Sequence, residues 1–175
     1  MDKYYLGLDN GGTTTKAAIF DGHGREIGVV SFNTAAVHAA PGFAEQDMEK
    51  MWQANCGAIR DVLKKTGIAP EKIAGVGICG HGKGVYLWGK DQKPARYGIL
   101  SADNRAYEYP LKWKASGVEE KAFARSCQHI LSCQPVSLLA WIRDHEPEVY
   151  ENIQWVFGCK DYIRFRLTNV SRAEI

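Results

Sequence analysis

Leu6-Gly7-Leu8-Asp9-Asn10-Gly11-Gly12-Thr13-Thr14-Thr15-Lys16 is the stretch that decides the fold. An apolar run from Tyr4 to Leu8 reads as a strand that ends at an aspartate. A second run, Ala17 to Phe20, closes at Asp21, and Gly22-His23-Gly24 is a turn signal. The loop therefore sits at the tip of a β-hairpin, not between a strand and a helix. Its composition suits a polyphosphate. Glycines permit positive φ and a close backbone approach, so successive N–H groups can converge on an anion. Threonine hydroxyls add donors, and Lys16 adds a positive charge. Asp9 would repel phosphate but suits Mg²⁺, or a water on Mg²⁺, bridging to it. A tight hairpin turn needs only about two residues; this loop reads as longer, and an acid precedes it. Asp9, Asn10, Gly11, Gly12, Thr13, Thr14 and Lys16 are the candidate phosphate-site residues, with Asp9 the candidate metal ligand.

The rest of the chain reads as α/β. Glu26 to Phe32 is a third antiparallel strand, and Asn33 to Glu45 is polar and turn-rich. Asp47 is a good N-cap. After it, Met48, Met51, Trp52, Cys56, Ile59, Val62 and Leu63 recur at spacings of three and four, which marks an amphipathic helix ended by Gly67 and Pro70. Ile73 to Cys79 reads as a buried strand and Val85 to Trp88 as another. Pro135 and Ser137 start a short helix, Ile153 to Phe157 is a last strand with an unpaired outer edge, and Asp161 caps a last helix. The pattern fits the start of an RNase-H-like domain: a mixed sheet with an antiparallel three-strand unit and flanking helices.

Bulk properties exclude several classes. At 175 residues the chain fits one domain. A net charge of +2 gives no basic patch for nucleic acid. No apolar run approaches the roughly 20 residues of a membrane span, and the N-terminus lacks a signal-peptide pattern. Cys56, Cys79, Cys127, Cys133 and Cys159 form no CxxC pair, which argues for reduced thiols and a cytoplasmic protein. Cys79, at the end of an apolar strand, reads as core.

Two glycine patterns are decoys. Gly75-Val76-Gly77-Ile78-Cys79-Gly80 matches G-x-G-x-x-G but lies inside a strand, and no helix opens after it. Gly77 to Lys83 matches G-x-x-x-x-G-K, but Gly84 lacks the hydroxyl that a phosphate-binding loop of that type presents to Mg²⁺.

Four ordered segments resemble one family. Asp9 to Lys16 looks like the first phosphate loop of the FGGY carbohydrate kinases, which share the actin/hexokinase-type ATPase fold. Pro41-Gly42-Phe43-Ala44-Glu45-Gln46-Asp47, with Trp52, resembles their G-[WF]-x-E-x-[DN]…W segment. Ser101-Ala102-Asp103-Asn104-Arg105 resembles their W-x-D-x-R substrate segment, and Lys160 to Thr168 their K-D-Y-[IL]-x-x-x-L-T-G helix. Within the family the chain is similar to the xylulose/gluconate-type sugar kinases and to the L-xylulose or 3-keto-L-gulonate kinases.

The resemblance implies ATP and Mg²⁺ as cofactors and a sugar or sugar acid, of the ketopentose or keto-hexonate class, as substrate. It implies that Gly80-His81-Gly82-Lys83-Gly84 is a substrate loop, like the G-Q-M-H-G of the xylulose kinases. His81, Gly82 and Lys83 then stand where the family has Gln, Met and His; Lys83 suits a substrate carboxylate or keto oxygen. Ser101 replaces the family's Trp, so an aromatic platform is missing. Asp103 is expected to accept two sugar hydroxyls and Arg105 to orient it. The family's chains are more than twice as long, so residues 1–175 are expected to be most of the N-terminal half of the first, sugar-binding domain. The second ATPase domain and the aspartate base would lie beyond residue 175, leaving no catalytic residue here. A homodimer stays open as the parent's assembly. The alternative is a non-catalytic ATP- or sugar-binding module of the actin-like superfamily.

Overall fold

The computed structural model describes residues 3–172. In chain order its strands and helices are β1 (Tyr4–Asn10), β2 (Thr14–Phe20), β3 (Glu26–Asn33), β4 (Glu45–Gln46), α1 (Met48–Thr66), β5 (Ile73–Gly80), β6 (Tyr86–Gly89) and β7 (Gly98–Ile99). Then follow α2 (Glu108–Ala115), α3 (Val118–Ser126), α4 (Pro135–His145), α5 (Pro147–Asn152), β8 (Ile153–Phe157) and α6 (Cys159–Thr168). The described residues divide into two units. One takes 3–36, 47–81 and 159–172; the other takes 37–46 and 82–158.

The first unit is built on a two-residue alternation. Along β1, Leu6, Leu8 and Asn10 are buried while Tyr5 and Asp9 are exposed. Along β2, Thr15, Ala17 and Ile19 are buried. The sheet order is β3-β2-β1-β5, with β1 antiparallel to β2, β2 antiparallel to β3, and β1 parallel to β5. This is the mixed sheet with an antiparallel three-strand start. Helix α1 opens on Asp47, whose carboxylate accepts the N–H groups of Glu49 and Lys50 at 3.0 Å each. It stops at Gly67, which takes the left-handed φ of 66°. Its innermost row is Met48, Met51, Asn55, Ala58 and Val62. Trp52, Cys56, Ile59 and Leu63 flank that row and are only partly buried. The small Ala58 and the hydrogen-bonded Asn55 hold the centre, and the larger side chains seal the margins.

Helix α6 lies against α1. The Tyr162 hydroxyl donates to the Met48 carbonyl at 3.2 Å, and Arg166 meets Glu49 at 2.6 Å. The helix starts at Cys159, so Asp161 is not its cap but sits in the first turn, where a carboxylate suits the helix dipole. Strand β5, expected to be buried, is an edge: Val76 is 50% exposed. Opposite α1 the sheet face is open, and a groove of about 500 Å³ crosses it beside Gly7, Asp9, Lys16, Ala18, Phe20 and Gly77.

The second unit pairs β6 with β8 and β4 with β7, both antiparallel. Its core is Val85, Leu87, Ile99, Ala106, Tyr109, Leu138 and Ile142. Helix α4 carries Leu138 and Ile142 into that core. Helices α2, α3 and α5 have no counterpart in the sequence reading; α2 buries Tyr109, and α3 and α5 bury no residue fully, so no apolar stripe marked them.

One packing test follows from Gly98. A Cβ there would lie 2.5 Å from Tyr86 Cε1. The ring is fully buried, and its hydroxyl is bonded to Gln46 at 3.3 Å, so it has no room to retreat. Gly98→Ala is expected to cost about 1–3 kcal/mol in urea denaturation. Gly12→Ala, with nothing within 4 Å of its added Cβ, is the control. A Gly98→Ala loss inside the roughly 0.5 kcal/mol usual for surface changes would show that the ring yields.

Candidate functional site

Alternation along β1 turns Asp9 and Asn10 to opposite faces of the sheet. Asp9 stands on the open face between its register partners, Lys16 on β2 and Cys79 on β5. The Cys79 thiol donates to Asp9 Oδ1 at 3.4 Å. Cys79 is exposed rather than core. Desolvation, and then the hydrogen bond to Asp9, push its pKa up.

Asn10, a candidate phosphate-site residue, points its side chain inward. Its Oδ1 accepts from Asn55 Nδ2 at 2.7 Å and from the Thr15 hydroxyl at 3.1 Å. Its carbonyl accepts the His81 N–H at 3.0 Å and the Cys159 thiol at 3.7 Å. The hairpin tip is also shorter than the sequence suggests. Pairing continues through Asn10 and Thr15, so Gly11, Gly12 and Thr13 alone connect the strands. The Gly11 N–H closes the turn on the Thr14 carbonyl at 2.9 Å. Neither Gly11 nor Gly12 takes a positive φ. A Cβ at Gly12 would meet nothing within 4 Å, whereas one at Gly11 would touch the Thr14 carbonyl oxygen at 3.4 Å. Thr13 and Lys16 are exposed, and Thr14 is half-buried.

A single exposed carboxylate fits Mg²⁺, which keeps most of its waters and takes few protein ligands beside substrate phosphates. Among the described residues no group of three or more His, Cys, Asp or Glu forms a metal cage.

Along β5 and the loop after it the decoys resolve. Gly75 to Gly80 stay in the strand, β6 opens at Tyr86, and no helix follows either glycine pattern. His81 is the last residue of its segment in the first unit; Gly82 and Lys83 begin the longer segment of the second. Lys83 holds a left-handed φ of 63° and is exposed. Gly84, at φ 69°, donates its N–H to the Cys133 carbonyl at 2.8 Å.

Asp103 and Arg105 are enclosed within the second unit. The Asp103 carboxylate has no exposed surface. Its Oδ2 accepts the Ala44 N–H at 2.7 Å and Arg105 Nη2 at 2.9 Å. Its Oδ1 accepts the Arg105 N–H at 2.9 Å and Nε at 3.0 Å. Arg105 Nη2 also reaches Glu45 at 2.6 Å, and Arg96 bridges Glu45 to Glu146. The Arg105 guanidinium lies over the Phe43 ring at 4.0 Å and the Trp141 ring at 5.1 Å. Burial works against the Arg105 charge, but the hydrogen bonds it donates to Asp103 and Glu45 outweigh it and hold its pKa above the usual value. Asp103 was expected to accept two sugar hydroxyls. Its oxygens are instead filled by Ala44 and Arg105, and it organises the wall that carries Phe43 and Trp141. Ser101 is exposed.

The profile of the FGGY family of carbohydrate kinases, N-terminal domain, matches residues 4–175. The chain belongs to the FGGY family. The L-xylulose/3-keto-L-gulonate kinase of Escherichia coli K12 is 42% identical over 99% of the chain and 35% of that relative. The gluconate kinase of Lactobacillus acidophilus superposes with a TM-score of 0.91 at 27% identity, over 98% of this chain and 34% of the other. The xylulose kinase of the same organism gives 0.90 at 28% identity, over 97% and 34%. The chain thus spans about a third of the length of the curated relatives it matches. Among the described residues no helix is long and apolar enough to cross a membrane.

Several residues of this FGGY domain escaped the sequence reading: Asn55, Thr15, Cys79, Arg96, Trp141 and the Ser132–Asn104 pair, bonded at 2.6 Å. Only the inward position of Asn10 had a readable signal, the alternation Leu6, Leu8, Asn10. The enclosed ion pair makes a stability test. Asp103→Ala would leave Arg105 buried without its main acceptor, at an expected cost of about 3–5 kcal/mol. Denaturant titration checks this; a loss under about 1 kcal/mol, the range of exposed pairs, would mean that Asp103 opens to solvent.

Proposed function

We propose that the chain acts as the N-terminal part of an ATP-dependent sugar kinase. The reaction transfers the terminal phosphoryl group of ATP to a hydroxyl of a ketopentose or keto-hexonate. The observation that carries this reading is the family match over residues 4–175, together with relatives named as kinases. The hairpin is the phosphate-facing element. Gly11, Gly12, Thr13 and Thr14 supply backbone and hydroxyl donors around an open tip, and Asn10 holds that tip from beneath. Asp9 and Lys16 stand side by side on the open face as metal-positioning acid and phosphate-facing cation. Bound Mg²⁺ would neutralise charge on the transferring phosphoryl group. His81, Gly82 and Lys83 are the sugar-loop residues, and Asp103 with Arg105 orders the Ala44–Glu45 segment within the second unit. The aspartate base belongs to the two thirds of the relatives that this chain does not span. A cytoplasmic location suits ATP chemistry and five cysteines that form no disulfide with one another.

In the full-length protein, a coupled ADP-release assay over ketopentoses, aldonates and keto-hexonates should show sugar-stimulated turnover. Its absence from a folded preparation would sink the reading. Asp9→Asn there should lower kcat by about 10²–10³ and leave sugar KM nearly unchanged, because positioning of this kind acts on the transition state. A raised sugar KM with unchanged kcat would place Asp9 in the wrong subsite.

The 175-residue chain alone is expected to form no sugar phosphate, since it holds one wall of the nucleotide site and no base. A radiolabel transfer assay decides this. Turnover on the order of 1–100 s⁻¹, ordinary for a kinase, would show a complete site within these residues.

A further inference from the structure

The strand decides on which face of the sheet Asp9 stands. Its carboxylate can still turn about its own side-chain bonds, and a group that positions a metal must be stopped from turning. Cys79 is placed to do this. The parallel ladder sets it directly opposite Asp9, and Gly75 and Gly77, which precede it on the same face of β5, carry no side chain. Asp9, Cys79 and Gly77 all line the groove on the open face. The thiol donates to Asp9 Oδ1 at 3.4 Å and has the Leu8 carbonyl as a second acceptor at 3.5 Å. Among the described residues this thiol is the one hydrogen-bond donor on the Asp9 carboxylate, and no ion pair joins Asp9 to its other register partner, Lys16. A cation in place of the thiol would neutralise the acid, as Arg105 does for Asp103. A thiol is neutral at physiological pH and donates one weak hydrogen bond, so it can fix one oxygen and leave the charge unspent.

We propose that Cys79 is a positioning residue: its S–H group holds Oδ1 of Asp9 and leaves the charge and Oδ2 of that acid to a divalent cation. The proposal rests on the sugar-kinase reading with Asp9 as the metal-positioning acid. It adds a residue that acts only through Asp9.

The test uses the full-length protein with Cys79→Ala, Cys79→Ser, Asp9→Asn and the Asp9→Asn, Cys79→Ala double variant. Cys79 is exposed, so replacing it should not lower the thermal midpoint. Cys79→Ala should lower kcat by about 2–10-fold, the worth of one modest hydrogen bond, with sugar KM unchanged. It should also weaken Mn²⁺ binding by a similar factor, read from the electron paramagnetic resonance of free Mn²⁺ beside a non-hydrolysable ATP analogue; Mn²⁺ suits the same oxygen ligands as Mg²⁺. Cys79→Ser keeps a donor at the same place and should recover most of both losses. In the Asp9→Asn background Cys79→Ala should cost nothing further, because the carboxylate it holds is gone. Losses that simply add overturn the proposal and leave the kinase reading standing. So does a serine variant no better than alanine, or unchanged Mn²⁺ binding in Cys79→Ala. Absence of turnover in the unmodified protein is a failure of the kinase reading, and the Mn²⁺ titration then still decides the role of Cys79.

Discussion

The first unit depends on how Asn10 is held. Its side chain is fully buried and joins β1 to β2 through Thr15 and to α1 through Asn55. Its carbonyl takes the first N–H after β5 and the thiol that opens α6. One residue therefore links every element that meets at the hairpin tip. A buried amide is costly without partners, so the arrangement has few alternatives once the helix and strands pack. The same strand geometry that turns Asn10 inward turns Asp9 outward. A rigid Asn10 is thus the condition for a well-placed Asp9, and the exposed carboxylate owes its orientation to bonds it does not make.

The second unit follows another logic. Arg105, Asp103, Glu45, Arg96 and Glu146 form a chain of alternating charges, partly roofed by Phe43 and Trp141. Desolvating such groups offsets much of their attraction, so the network is poor evidence for stability. Its geometric consequence is more secure. The Asp103 carboxylate fastens Ala44, which is 59 residues away in sequence, and Glu45 pairs with Ile99 in the adjoining strands. The network fixes one register between distant segments. Replacing it with apolar side chains could match its energy but would not reproduce that directional constraint.

The legible parts of the sequence are those with local physical signatures. The hairpin, β3 and α1 announce themselves through alternation, turn glycines, the Asp47 cap and the Gly67 stop. The strand-end position of Asp9 and the loop position of Lys83 were also readable. What could not be read is long-range. Nothing local says that Glu45 and Gln46 pair with Ile99 and Gly98, or that residues 37–46 and 82–158 form a separate unit. The D-x-R spacing of Asp103 and Arg105 does not reveal that the carboxylate is closed off, because its cover comes from Ala44. The inward side chain of Asn10 is instructive. Leu6 and Leu8 already place position 10 on the buried face, but the glycine- and threonine-rich loop drew it into the ligand set.

Charge separates framework from site more sharply than motif does. Asp103 and Arg105 lie in the D-x-R segment, yet their charges are spent on each other and on Glu45. Asp9, Lys16 and Lys83 stay exposed, on a strand end or a strained loop where water or a ligand can meet them. A charge satisfied inside the protein has little free energy left for a ligand, and one held rigidly in solvent keeps nearly all of it. Exposed groups such as Asp9, Lys16 and Lys83 are therefore the ones open to tests of ligand binding. Within each unit the buried bonds fix the backbone around the exposed groups, so an enclosed aspartate such as Asp103 and an exposed one such as Asp9 can sit in equally conspicuous motifs and do different work.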